Sequence, residues 1–265
     1  MIAEVGFVST LCALAVAIYA MGAAFYGERV RHNEAWVLSA RNAVFLNFVL
    51  LTIASVLLLV ALVTEEYQVS YVWSVSNPTM PMFYRITALW GSQSGSLLFW
   101  SWLMSAFTAA CVLLNWKSQR RLMPYAIVYM MAVVAFFVGL VLFIENPFNR
   151  WWIIPSNPAD SQVVEAALEP AGAVAPDDLR LAETANGLNP LLRHFGMAIH
   201  PPMLYLGFVG FIVPFAFAMS ALASGDLSNN WIKVSRRWTL VAWLFLTLGL
   251  VLGGRWAYDV LGWGG

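Results

Sequence analysis

Ala43-Val-Phe-Leu-Asn-Phe-Val-Leu-Leu-Thr-Ile-Ala-Ser-Val-Leu-Leu-Leu-Val-Ala-Leu-Val63 carries no charge over its whole length. A bilayer core needs ~20 apolar residues in one helix, and this run supplies them. The rest of the chain agrees with it. Of 265 residues, 61% are hydrophobic and 11% are charged. Soluble domains are about half apolar and about a quarter charged, so lipid must be the solvent for most of this chain. The formal net charge is zero, which removes any bulk electrostatic case for nucleic acid.

Five more stretches meet the same criterion: about Val5 to Tyr26, Leu97 to Trp116, Met123 to Ile144, Pro202 to Ala223 and Trp238 to Gly254. The expected fold class is all-α, a polytopic transmembrane bundle of six spans with extracytoplasmic loops. No basic residue precedes the first span, whereas Arg29 and Arg31 follow it; it therefore reads as a true span with its N-terminus outside, not a cleavable signal. Lys and Arg then fix the remaining connections. The first (Arg29, Arg31, Arg41), third (Lys117, Arg120, Arg121) and fifth (Lys233, Arg236, Arg237) are expected in the cytoplasm. The second holds Arg85 beside Glu65 and Glu66, and the long fourth holds Arg150, Arg180 and Arg193 among more acids; both are expected outside. The chain divides into residues 1–144 with four spans, an extracytoplasmic loop at 145–201, and residues 202–265 with two spans and an external tail.

Most unusual residues fall on the outer side. Tyr71-Val-Trp-Ser-Val-Ser-Asn-Pro-Thr-Met-Pro-Met-Phe-Tyr-Arg85 leads into Leu89-Trp-Gly-Ser-Gln-Ser-Gly-Ser-Leu-Leu-Phe-Trp100, a loop that folds back before a helix capped by Ser94 or Ser96. Trp90 and Trp100 suit an aromatic belt equally well. Residues 156–183 are weakly hydrophobic and are expected to be loosely structured. His200 stands before Pro201 and Pro202, where a helix's first turn tolerates proline, so the fifth span is expected to open there with the imidazole at its lip. A neutral imidazole there suits haem iron; the plainer alternative is an interfacial histidine bonded to solvent or a carbonyl. His194 reads as a loop residue or as a group supporting the site from behind, and His32 as solvated. Arg255, Trp256 and Trp263 leave the sixth span among glycines, offering a guanidinium for a propionate and flat aromatic walls, or else an anchoring belt. Cys12 and Cys111 read as small buried hydrophobes.

Four segments together resemble the amino-terminal part of the haem-handling CcmF/CcsA family of cytochrome c-type biogenesis proteins: Leu89 to Trp100, Asn146-Pro-Phe148, Leu188 to Leu192 with His200 to Gly207, and Trp256 to Gly265. The resemblance implies a haem lyase subunit of the cell (inner) membrane, with b-type haem in transit to cytochrome c on the outer face. It implies His200 as an axial iron ligand and Trp263, Gly264 and Gly265 as the opening of an external tryptophan-rich motif. Trp90 and Trp256 become candidate walls, and Arg85, Arg150 and Arg255 candidate propionate partners. Implied partners are a haem chaperone, apocytochrome c with its thiol-reducing and presenting proteins, a C-terminal CcmF-like half, and membrane lipids. The chain stops before the core of that motif and lacks the second external histidine and the transmembrane histidines, so a split or truncated protein is expected. A non-catalytic docking subunit is the rival reading. A transporter is a weaker one, because the spans are nearly free of the mid-membrane charges transport sites use. No general base is evident for thioether formation.

Overall fold

The computed structural model describes residues 1–155, 162–226 and 228–263. Gly264 and Gly265 lie outside the described residues, as does the first part of the stretch expected to be loose. Six helical segments are long and apolar enough to cross a membrane: Ile2–Val30, Glu34–Val63, Gln93–Asn115, Met123–Phe143, Phe195–Ser224 and Asn230–Leu261. All six expected spans are present.

The first segment is α1 (Ile2–Phe25), which runs into a π-helical turn at Tyr26–Val30. The Asn33 side chain accepts the Ala35 N–H and starts α2 (Glu34–Val63). Ala13, Ala17, Ala20 and Ala24 are fully buried, because small side chains let the α1 and α2 backbones approach closely. Asn47 ties the pair together, its amide N–H donating to the Ala13 carbonyl at 2.7 Å.

The second connection contains two short helices, α3 (Ser70–Val75) and α4 (Met82–Thr87), and a 3-10 turn at Ala88–Trp90. It folds back as expected. The Tyr71 hydroxyl donates to the Ala88 carbonyl at 2.7 Å, and Gly95 passes so close to this hydroxyl that a Cβ would lie 2.1 Å from it. The following helix, α5 (Gln93–Asn115), starts one turn earlier than expected. Ser92 occupies its cap position without a side-chain bond; Ser94 Oγ instead donates to Glu145 and Ser96 Oγ to the Trp90 carbonyl.

Helix α6 (Met123–Phe143) packs on α1 and α5 and leads to the fourth connection. That connection is more ordered in its described part than its composition implies. β1 (Arg150–Ile154) pairs antiparallel with β2 (Gln162–Ala166) in the register Trp152↔Val164, and α7 (Asp178–Thr184) is capped by Asp177 accepting the Leu179 N–H. β-branched and aromatic residues make the hairpin. The fifth span is broken into α8 (Phe195–Gly210) and α9 (Ile212–Ser224), with Phe211 between them. Pro214 has no N–H to give the Gly210 carbonyl, and the break falls one turn before it. α10 (Asn230–Trp256) packs along α8 and also touches α9.

Contacts sort the connections to two ends of the bundle. At one end Glu4 pairs with Arg150 at 2.9 Å, Ser70 donates to Glu165 at 2.6 Å, and the Trp73 indole reaches Thr184 at 3.3 Å. At the other, Arg29 donates to the Ala223 carbonyl at 2.8 Å, Arg120 pairs with Glu34, and the Arg41 guanidinium lies 5.0 Å from the Trp116 ring centre. The first, third and fifth connections thus share one end, as the alternation of basic residues requires. Cys111 is buried as expected, whereas Cys12 is exposed on the outside of the bundle.

Candidate functional site: the imidazole between α8 and α10

His200 does not precede the fifth span. Helix α8 begins at Phe195, capped by His194, whose Nδ1 accepts the Gly196 N–H at 3.1 Å. His200 therefore sits in the second turn, and Pro201 and Pro202 lie inside the helix. Interior prolines leave the carbonyls one turn back without their helical donors, and tertiary donors can take the vacant places. Pro201 cannot serve Met197, and the Trp90 indole N–H fills the vacancy at 3.2 Å. That tertiary bond supplies a donor to one of the two carbonyls that the double proline leaves without a helical partner.

The His200 ring faces α10. Its Nδ1 lies 2.7 Å from the Gly249 carbonyl oxygen. A carbonyl oxygen only accepts, so Nδ1 carries the hydrogen and the neutral ring keeps its lone pair on Nε2. No hydrogen bond to Nε2 occurs among the described residues. The carbonyl-bonded histidine and the iron ligand, alternatives in the sequence, are compatible here, one at each ring nitrogen. The ring fits because α10 carries glycine beside it: a Cβ on Gly253 would lie 2.3 Å from His200 Cε1. Likewise a Cβ on Gly249 would meet the Leu204 backbone at 2.6 Å, and one on Gly207 the Leu246 backbone at 2.5 Å. Gly249-Leu-Val-Leu-Gly253 has the four-residue glycine spacing that lets membrane helices touch backbone to backbone. That spacing was the available signal for Gly249, which the sequence analysis does not single out; Gly253 reads there only as one of the glycines around the external tail.

Trp256 stands beside His200 with ring centres 6.4 Å apart and planes inclined by 12°, and its Cβ packs over Gly196. Arg255 is solvent-facing, bonded to Asp259 at 2.8 Å, with Tyr258 beneath its guanidinium. Trp263 is 75% exposed. These three share the end of α10 with His200. Trp90 lies nearby, half-buried against Phe99 and engaged with Met197, in the role of a support.

Arg85 and Arg150 sit elsewhere. Arg85 is buried beneath α4, donating to the carbonyls of Met80 at 2.9 Å and Pro78 at 3.0 Å and paired with Glu65. Arg150 is held by Glu4 and the Ala167 carbonyl, over the Trp152 ring. Neither is brought to His200. Around Arg85, burial and the neighbouring Glu65 carboxylate push the Tyr67 phenol up to about 12, and burial raises that of Tyr71. His32 is at the opposite end of the bundle, in the left-handed region at φ 48°. Among the described residues no group of three or more His, Cys, Asp or Glu side chains is arranged to hold a metal ion.

Fold and site together define a class: a polytopic helical membrane protein that holds a tautomer-fixed imidazole beside tryptophan, between two closely packed spans at one end of the bundle. Known proteins agree with that class. The family described as cytochrome c assembly protein matches residues 90–265, and the chain belongs to it. Over all 265 residues it is 37% identical to the cytochrome c-type biogenesis protein CcmF of Haemophilus influenzae, of which it covers 37%. It is 35% identical over the same length to CcmF of Pseudomonas aeruginosa, covering 36% of it. A solved structure titled cytochrome c haem lyase CcmF superposes with a TM-score of 0.75 at 26% identity, covering 100% of this chain and 38% of that one. The chain thus spans little more than a third of these relatives, and matches their amino-terminal part. The resemblance read from the four segments is borne out.

Proposed function

We propose that this chain handles haem for covalent attachment to c-type cytochromes, and that His200 offers Nε2 to the haem iron. The observation that carries this reading is the Nδ1–H bond to Gly249, which leaves the iron-binding nitrogen of a neutral imidazole without a partner among the described residues. Haem is the substrate here, b-type until thioether bonds join its vinyl groups to the apocytochrome cysteines. The chemistry resides in those groups, and the protein's part is to position them. An imidazole ligating through Nε2 stands upright on a porphyrin. Trp256, nearly parallel to His200, would then stand edge-on beside the ligand and shield it from water. The exposed Trp263 is free to lie against the porphyrin face, and Arg255 can exchange Asp259 for a propionate. Arg85 and Arg150 are assigned instead to holding the outer connections on the bundle.

The positive-inside rule puts the end bearing Arg29, Arg120 and Arg236 in the cytoplasm of a cell membrane, and the His200 end outside. Apocytochrome, its thiol-presenting proteins, a haem chaperone and the remaining CcmF-like polypeptide are the partners this reading requires. The test is the Soret band of the complex purified with that polypeptide: His200→Ala should abolish or weaken an outward-facing haem signal and cytochrome c yield. A docking subunit would instead retain partners, spectrum and yield.

A further inference from the structure

We propose that the Gly249 carbonyl, Gly253 and Trp90 form a cradle that locks the His200 imidazole in its Nδ1–H tautomer, making Gly253 and Trp90 positioning residues. The use of that tautomer rests on the haem-ligand reading above; its existence does not.

Two contacts meet the ring itself, and a third holds the turn from which it projects. The Gly249 carbonyl accepts from Nδ1 at 2.7 Å and sets which nitrogen holds the proton. Gly253, one turn further along α10, is the only residue type that leaves room for the ring: a Cβ there would lie 2.3 Å from Cε1 and 2.7 Å from Nδ1. Either the ring or the helix would have to move, and both would break the bond to Gly249. Trp90 acts from the other side. Its indole N–H takes the Met197 carbonyl that Pro201 leaves free, at 3.2 Å. Met197 lies three residues before His200, so this bond holds the turn from which the ring projects. Without it the turn carries an unpaired carbonyl and frays, since the double proline leaves little else to hold it. The tryptophan that a sequence reading assigns to the wall of a ligand site therefore acts through the histidine.

The consequence is chemical. In water both neutral tautomers of histidine are populated, and either nitrogen can meet a metal. Here a single nitrogen, Nε2, is offered, and the Nδ1–H···O=C bond raises its basicity as a ligand.

The chain has three histidines, His32, His194 and His200, so a 15N-histidine-labelled sample of the full chain in lipid nanodiscs, free of haem, gives three pairs of ring signals, one pair for each imidazole. Loss of one set in His200→Asn assigns it. At mildly alkaline pH, well above the value of free imidazole, His200 should show a protonated Nδ1 and a bare Nε2. Gly253→Ala should lower that tautomer ratio about tenfold, the equivalent of one net hydrogen bond. Trp90→Phe, which keeps an aromatic ring but loses the N–H, should lower it in the same direction by a smaller factor. Gly254→Ala is the control, because a Cβ at Gly254 meets nothing within 4 Å on the same helix; it should leave the ratio unchanged. A wild-type His200 protonated at Nε2, or an equal response to Gly253→Ala and Gly254→Ala, overturns the proposal. The wild-type spectrum decides even if Gly253→Ala fails to fold. A fixed tautomer combined with a haem spectrum indifferent to His200 would uphold the cradle and refute the ligand reading.

Discussion

Gly207→Ala tests whether the α8–α10 contact is as close as the backbone indicates. The added Cβ would lie 2.5 Å from both N and Cα of Leu246 and 2.6 Å from its Cβ. Comfortable carbon contacts begin at ~3.5 Å, so the helices must separate by roughly 1 Å, and backbone on both sides leaves no side chain to yield. Overpacking of this kind costs about 1–3 kcal/mol. The substitution also regains about 0.5–1 kcal/mol because alanine loses less entropy in a helix. The net expectation is a destabilisation of about 0–2.5 kcal/mol by these two terms, against a gain for an alanine that meets nothing. The same separation would stretch the bond of His200 to Gly249 from 2.7 Å to roughly 3.7 Å, past hydrogen-bond range. Thermal unfolding in detergent reads the first effect, and loss of the Nδ1-protonated histidine signal reads the second. Gly139→Ala is the comparison, since a Cβ there meets nothing within 4 Å, and it should be neutral or stabilising. A Gly207→Ala protein as stable as Gly139→Ala would refute the close approach of these helices.

Arg85→Leu should destabilise the outer end by about 2–4 kcal/mol, below the full cost of breaking a buried pair because the Glu65 side chain is 35% exposed; faster proteolysis between α2 and α5 reads it, with partial recovery in Arg85→Leu/Glu65→Gln. Stability should also fall in alkali. Tyr67 and Tyr71 both ionise less readily in the folded protein than at the ordinary value of 10.0, so their contribution is whole below pH 10 and is lost as pH rises through about 12 for Tyr67 and higher for Tyr71. Melting temperatures recorded across that range should drop less in Tyr71→Phe, and a flat wild-type profile would contradict the assignment. Asn47→Leu, which removes the 2.7 Å bond to Ala13 inside the membrane, should cost only about 0.5–1.5 kcal/mol; reversible unfolding in detergent reads it, and a larger loss would mean that the bond organises more than the α1–α2 pair.

Length and charge carry the transmembrane architecture directly: an uncharged run such as Ala43–Val63 has one stable environment, and basic residues mark alternate connections. The backward fold of the second connection is also visible in its glycines and serines. What escapes a linear reading depends on partners far along the chain. Pro201 and Pro202 argue for a helix start, and they would mark one but for Trp90, 107 residues away from Met197 in sequence. Arg85 and Arg150 look like ligands for an anionic group until Glu65 and Glu4 are found beside them, the latter 146 residues from Arg150. The hairpin of β1 and β2 hides because its second strand lies in an Ala/Pro/acid-rich stretch whose average composition obscures Gln162–Ala166. The glycines of α10 gain meaning only once His200 is seen against them.

The central claim is that His200 Nε2 meets haem iron. Chemical rescue tests it most directly: His200→Gly opens a space of imidazole size, and the complex carrying this variant is titrated with free imidazole while its haem spectrum and cytochrome c yield are followed. Loss of the wild-type Soret band in the variant, with return of both band and yield on adding imidazole, is the predicted result. A variant whose haem spectrum and yield match wild type without imidazole would contradict it.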